Sequence, residues 1–406
     1  MSYNVHTLAN GIRVVHIPAL SPVCYCGLLI NTGSRDEGEQ EYGMAHFIEH
    51  VIFKGTRKRK AYHILNRLDE VGGELNAYTT KEETVVHASF LKCDFGRAAE
   101  LISDMVFNSV FPEKELKKEK EVIADEISSY VDTPSELIFD DFDELIFPAE
   151  TFGHNVLGSV ESLARFTADD VRNFMSHKYN TDQMVLSVYG SMSWHEVITI
   201  AERCFGHISA NLRTWQRNAP TPKPRNSQNI NKGTNQGHVV MGNIAPNAFD
   251  TKRLPMFMLS NMLGGACMNS RLNIVLREKN GIAYNVETEY NSYSDIGLFS
   301  IYFGTDTDNI EKSLRIVNRE LTKLCTTELT EMQLRKLKRQ ITGQLMMSAD
   351  SGEEQMLSAG RSILLYGQAD DIEASCKSIA TVSAAEIKAV ATDVISPEKL
   401  SILIYS

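Results

Sequence analysis

Leu116 to Ile127 reads LKKEKEVIADEI, and Leu334 to Leu345 reads LRKLKRQITGQL. Identity between the two is low, but apolar and basic positions keep step, and each lies in a long helical pattern: Glu113 to Tyr130 and Glu328 to Met347. A strand pair precedes each pattern: Glu74 to Thr80 with Thr84 to Leu91, then Ala283 to Tyr290 with Gly297 to Phe303. Further upstream, strand and helix patterns also recur: Cys24 to Asn31 and Tyr42 to Phe53 in the first half, Val239 to Met241 and Pro255 to Leu263 in the second. The halves repeat one order of elements, which predicts an ancient duplication. The expected fold is α+β, with two homologous domains, each an antiparallel-rich sheet covered by helices.

The remaining patterns fit that frame. Asn10-Gly11 predicts a hairpin before the strand Val14 to Pro18. Ala61 to Val71 predicts a helix, stopped by Gly72-Gly73. Phe95 to Val106, Ser135 to Ile146, Trp194 to Phe205, Asn269 to Arg277, Asp308 to Leu324, Gly352 to Leu365 and Ser383 to Val394 read as further helices. Met184 to Tyr189 and Leu400 to Tyr405 read as strands. Between 210 and 236 there is no apolar period, and Pro220, Pro222, Pro224 and Gly233 fall there. That predicts a linker, so the expected division is 1–208, linker 209–236, and 237–406.

Composition bounds the function. A chain of 406 residues with 43% hydrophobic and 23% charged residues supports two cored domains of about 200 residues each. The formal charge of -11 argues against nucleic acid as a partner. The one basic run, Lys54 with Arg57 to Lys60, reads as a solvated loop. Seven scattered cysteines are not a disulfide framework and point to free thiols in a reducing compartment. Cys24 and Cys26 fall on one face of a strand. The N-terminus lacks a basic segment followed by an apolar one, and no apolar run reaches the ~18 residues of a membrane span. A cytoplasmic protein without membrane association is expected.

The chemistry concentrates at His46-Phe47-Ile48-Glu49-His50. Residues four apart share a helical face, so both imidazoles reach one ion. Glu49 borders that face, placed to take a proton from a metal-bound water without being a ligand. Two histidines and one carboxylate leave the fourth position open, as catalytic zinc requires. Glu119 and Glu126 share a face with Val122 and Ile123, with Ile127 nearby. Either these carboxylates turn inward toward a metal, where burial without a partner is costly, or they sit at the solvated margin of the helix. Across the repeat Glu119 faces Leu337 and Glu126 faces Gln344, so the second half lacks those carboxylates.

These segments resemble the pitrilysin-type M16 (inverzincin) zinc metallopeptidases, in the short form of the mitochondrial processing peptidase subunits. The resemblance rests on Gly43 to His50, Phe53-Lys54-Gly55-Thr56 and Gly72 to Thr79. It extends to Glu126 at the family's spacing and to Asn269 to Leu272 with Leu276 to Tyr284. It implies one zinc per chain held by His46, His50 and Glu126, with Glu49 as general base and Glu119 in a supporting acidic position. It implies peptide contacts from the backbone around Asn76 and Ala77. Arg277 and Tyr284 would reach the site of a facing half; otherwise they are a surface ion pair and a half-buried strand tyrosine. The chain corresponds to half of a clamshell whose chamber admits unfolded peptides. A homodimer is the simplest assembly, a heterodimer with a related chain the other. The implied function is zinc-dependent endopeptidase, the alternative a non-catalytic or partner-dependent subunit of the same fold.

Overall fold

The computed structural model describes residues 3–369 and 371–406. Among the described residues, eleven strands form two sheets. The first contains β1 (Asn4–Thr7), β2 (Arg13–Pro18), β3 (Val23–Ile30), β4 (Glu74–Thr79), β5 (Thr84–Leu91) and β6 (Met184–Gly190). The second contains β7 (Ser227–Ile230), β8 (Gly237–Ala245), β9 (Ala283–Ser292), β10 (Gly297–Thr305) and β11 (Ser401–Tyr405). Spatial order is β1-β2-β6-β3-β5-β4 in one and β7-β11-β8-β10-β9 in the other. Setting β1 aside, both read first, fifth, second, fourth, third in chain order. In both, the first and fifth strands run parallel and every other pair is antiparallel. The duplication read from the two helical segments is therefore written in the topology of both sheets.

Strand alternation builds two cores on each sheet. Val14, Cys24, Cys26, Leu28, Val86 and Val188 point to the face covered by the helices Met44–Val51, Phe95–Asn108 and Trp194–Phe205. Their neighbours Val15, Ile17, Leu29, Val85 and Val185 point the other way, onto Met356, Leu357, Ala359 and Ile363 of the helix Gly352–Tyr366. Each large side chain sealed there is worth about 1.5–3 kcal/mol. The second sheet repeats the scheme. Val239, Met241, Phe299 and Ile301 face the helical layer, while Val240, Leu298 and Leu403 face Ile138 and Phe142 of the helix Pro134–Ile146.

The compact units are discontinuous in sequence, whereas the expected segments are each continuous. One unit comprises 1–128, 155–218 and 346–374; the other comprises 129–154, 219–345 and 375–406. The helix Pro134–Ile146 thus belongs to the second unit and the helix Gly352–Tyr366 to the first.

Several local expectations are corrected. The linker contains β7, a polar strand whose one ladder among the described residues is the parallel one to β11, so it carries no apolar alternation to read. Asn269 to Arg277 was expected to be an ordinary helix, but its second part is a π-helical turn, Asn273–Glu278. Val122 is 53% exposed, not inward: it stands about 100° around the helix from buried Ile123. The basic run is not merely solvated, since Lys54 pairs with Glu119 at 2.6 Å and Arg59 with Glu100 and Asp104, each at 2.6 Å. Helices at Val160–Arg165, Ala168–Lys178 and Ile372–Thr381 were not read from sequence. No helix among the described residues is long and apolar enough to cross a membrane.

Candidate metal centre

The helix Met44–Val51 begins where the chain turns through Gly43 at φ +92, the left-handed region. A Cβ at Gly43 would stand 2.7 Å from the Leu157 carbonyl, so both conformation and space select glycine. Two unpaired N–H groups of the first turn, those of Gly43 and Ala45, donate to the buried Glu37 carboxylate at 2.8 and 2.7 Å. Burial pushes the Glu37 carboxyl well up, against the pull of those two bonds. Phe47, Ile48 and Val51 lock the opposite face into the core.

His46 and His50 project from the remaining face with ring centroids 4.7 Å apart. Glu126, on the helix Glu113–Val131, comes within 3.7 Å of His46 Nε2 and 3.4 Å of His50 Nε2. The candidate donor atoms of the three residues all lie within 4.8 Å of one another. Four ligands at about 2.0–2.1 Å from a zinc ion stand roughly 3.3 Å apart, so only a small contraction separates this arrangement from a zinc site. The donor set of two imidazoles and a carboxylate suits zinc and leaves a position open. Burial, and then the neighbouring His50, hold His46 down to about 4, which keeps it in the neutral form that binds metal. Helix margin and metal face thus coincide at Glu126, whose side chain is 43% exposed.

Glu119 does not reach into this group; it sits behind it. Its Oε1 lies 2.9 Å from His50 Nδ1 and its Oε2 accepts from Lys54 Nζ at 2.6 Å. Burial alone would raise Glu119, but the bonds from His50 and Lys54 outweigh it and hold the carboxyl below its usual range. The carboxylate fixes the His50 ring and leaves Nε2 for the metal. Glu49 is set apart from the three donors. Burial raises its carboxyl, while the nearby Thr79 hydroxyl, which donates to the Ala45 carbonyl at 3.5 Å, and His50 pull it back. Thr79 closes β4, the edge strand of its sheet.

On β4, Ala77 turns toward the core beside the metal helix, whereas Asn76 is exposed on the other face, opposite His87 of β5. Arg277 and Tyr284 lie in the second unit and are not part of the metal group. Arg277 faces Glu278 at 3.9 Å, and Tyr284, 63% exposed, donates to Asp306 at 3.1 Å. Glu37 is the participant that motif reading passes over, while Lys54 and Thr79 fall inside quoted segments that gave them no role. Lys54 lies in the bend just past the end of the metal helix at Val51, so helical spacing did not point to it. In the second unit Gln344, the counterpart of Glu126, accepts from Asn261 at 3.0 Å and donates to Cys267 at 3.0 Å. Leu337, the counterpart of Glu119, is buried core.

Residues 13–159 match the model of the insulinase family, peptidase family M16, and residues 165–341 match that of the M16 inactive domain. The chain is 34% identical to an uncharacterized zinc protease of Bacillus subtilis (strain 168), over 89% of this chain and 88% of that one. It is 30% identical to an uncharacterized zinc protease of Rickettsia felis, over 99% and 97%. The fold matches a protease from Helicobacter pylori with TM-score 0.91 at 20% identity, covering 100% of this chain and 99% of that one. It also matches a structure described as a peptidase M16 inactive domain from Pseudomonas fluorescens, with TM-score 0.93 at 17% identity, covering 100% and 98%.

Proposed function

Because the chain belongs to the insulinase family, peptidase family M16, we propose that it is a zinc-dependent endopeptidase acting on unfolded peptides. The observation that carries this reading is the convergence of His46, His50 and Glu126 donor atoms beside the half-buried Glu49. Zinc held by those three residues would supply a Lewis acid and make water acidic enough to attack at ordinary pH. Glu119 keeps His50 oriented through Nδ1. The Glu49 carboxylate removes a proton from the attacking water and passes it to the leaving amine. An extended peptide adds to the free edge of β4 through main-chain bonds, at Asn76 and Ala77, which favours loose side-chain selectivity.

Arg277 and Tyr284 act from a facing half, Arg277 on peptide carbonyls and Tyr284 as donor to the developing oxyanion. The assembly is a homodimer enclosing a chamber, in the cytoplasm, with one zinc per chain. The mass of the native protein by light scattering tests the dimer, and monomeric protein with full activity would dismiss it.

The decisive experiment is cleavage of quenched-fluorescent unfolded peptides with zinc, with chelator, and by Glu49→Gln, alongside metal analysis. Glu49→Gln is expected to retain zinc and lose about 10²–10⁴-fold in kcat. Full activity in Glu49→Gln, or chelator-resistant cleavage, would refute the mechanism.

A further inference from the structure

The strand that lies against the metal helix is itself held from behind. β4 has one ladder neighbour, β5, and its other edge is open. Along β4, Thr79 faces the metal helix, where its hydroxyl donates to the Ala45 carbonyl at 3.5 Å, so Tyr78, one residue earlier, points to the opposite face. There the helix Gly352–Tyr366 crosses the sheet. Arg361 Nη2 donates to Tyr78 Oη at 2.6 Å, and Arg361 Nε donates to Glu83 Oε1 at 2.7 Å. Tyr78 Oη donates in turn to Glu83 at 3.2 Å, closing a three-membered network. The guanidinium also stands 5.7 Å from the Tyr78 ring centre. A second tie lies beside it. Glu353 of the same helix meets His87 Nδ1 at 3.0 Å, and the His87 ring packs edge-on to Tyr78 at 5.9 Å.

An isolated exposed ion pair contributes little, and the Arg361 side chain is 46% exposed. Here the planar fork engages two acceptors at once, and Glu83 is only 14% exposed, so geometry rather than charge alone is fixed. Tyr78 and Thr79 are consecutive, so a shift at one is transmitted to the other through a single peptide unit. We propose that Arg361 is a positioning residue for the reaction: it sets the register and rigidity of the open edge of β4, and with it the seat of Thr79 against the metal helix. The inference rests on β4 being the edge that receives the peptide.

The test compares Arg361→Ala and Arg361→Lys with the parent in the full chain. Three readouts are taken: zinc affinity, KM and kcat on a long unfolded peptide, and amide hydrogen exchange across 74–79. Arg361→Ala is expected to raise KM about fivefold to tenfold, the scale of one ordinary hydrogen bond. It is also expected to quicken exchange in β4 about tenfold, with zinc affinity unchanged. Arg361→Lys, which keeps charge without the fork, should fall between. If Arg361→Ala does not fold, Tyr78→Phe removes the same node while keeping the ring, and should move KM and exchange the same way. Unchanged KM and exchange beside an active parent would overturn this inference alone. A zinc-loaded parent that cleaves nothing would overturn the peptidase reading and this role together.

Discussion

Glu119 is bonded through both oxygens, to His50 on one side and Lys54 on the other, and at 6% exposure it has little water to fall back on. Replacing it by Gln turns one acceptor into a donor. The expected result is a zinc affinity about 10–100-fold weaker, measured by competition with a chromophoric chelator, while the fold survives. Unaltered affinity would mean that His50 needs no fixing. Lys54→Met should give a smaller loss in the same assay, because the His50 contact remains. His46, His50 and Glu49 were legible as a motif, since four-residue spacing on a helix leaves few geometries. Helical pattern alone left Glu119 and Glu126 as a pair of alternatives, and only the family resemblance assigned Glu126 to the metal and Glu119 to a supporting position. Their angular positions on the helix Glu113–Val131 differ little, yet one lies at 8% and the other at 43% side-chain exposure. What separates them is what packs opposite each, which helical periodicity does not contain.

The metal helix is short, and its start is where the local sequence does most. Gly43 stands in left-handed conformation against the Leu157 carbonyl, and Glu37 takes the first-turn N–H groups. Gly43→Ala is therefore expected to destabilise by about 1–3 kcal/mol and to loosen zinc, read as a fall in the denaturant midpoint with and without metal. A variant as stable as the parent would show that the turn relaxes freely. A different constraint governs the helix Gly352–Tyr366. At Gly360 a Cβ would come within 2.5 Å of the buried Leu29 side chain, so this helix lies close on its sheet. Its existence was legible from its periodicity. That it covers the first sheet was not, because an amphipathic pattern states that a face is buried and not which surface buries it.

Across the whole molecule, buried neutral histidines couple stability to pH. Burial lowers His16, which lies 1% exposed and stacked on Trp194, and it lowers His238, which bonds Tyr302. Both folded values lie under the ordinary 6.5, so the unfolded chain takes up protons first. Stability is then full above pH 6.5 and is lost as pH falls below it, until the folded residues also protonate. Melting temperature followed from pH 7.5 to 5 in metal-free protein should decline in that window, and less steeply for His16→Gln. An identical slope would remove His16 from the account. By itself the sequence determined the duplication, most of the strands and helices, and the metal motif. Those depend on spacing along one element, and spacing is local. Tertiary structure alone decided that five strands of each half share one spatial order, that β7 is a strand, and that 134–146 and 346–374 fall in units apart from their sequence neighbours. It alone brought Glu37, Thr79 and Arg361 around the metal helix and β4. These depend on which surfaces meet, and burial pattern is degenerate with respect to partner.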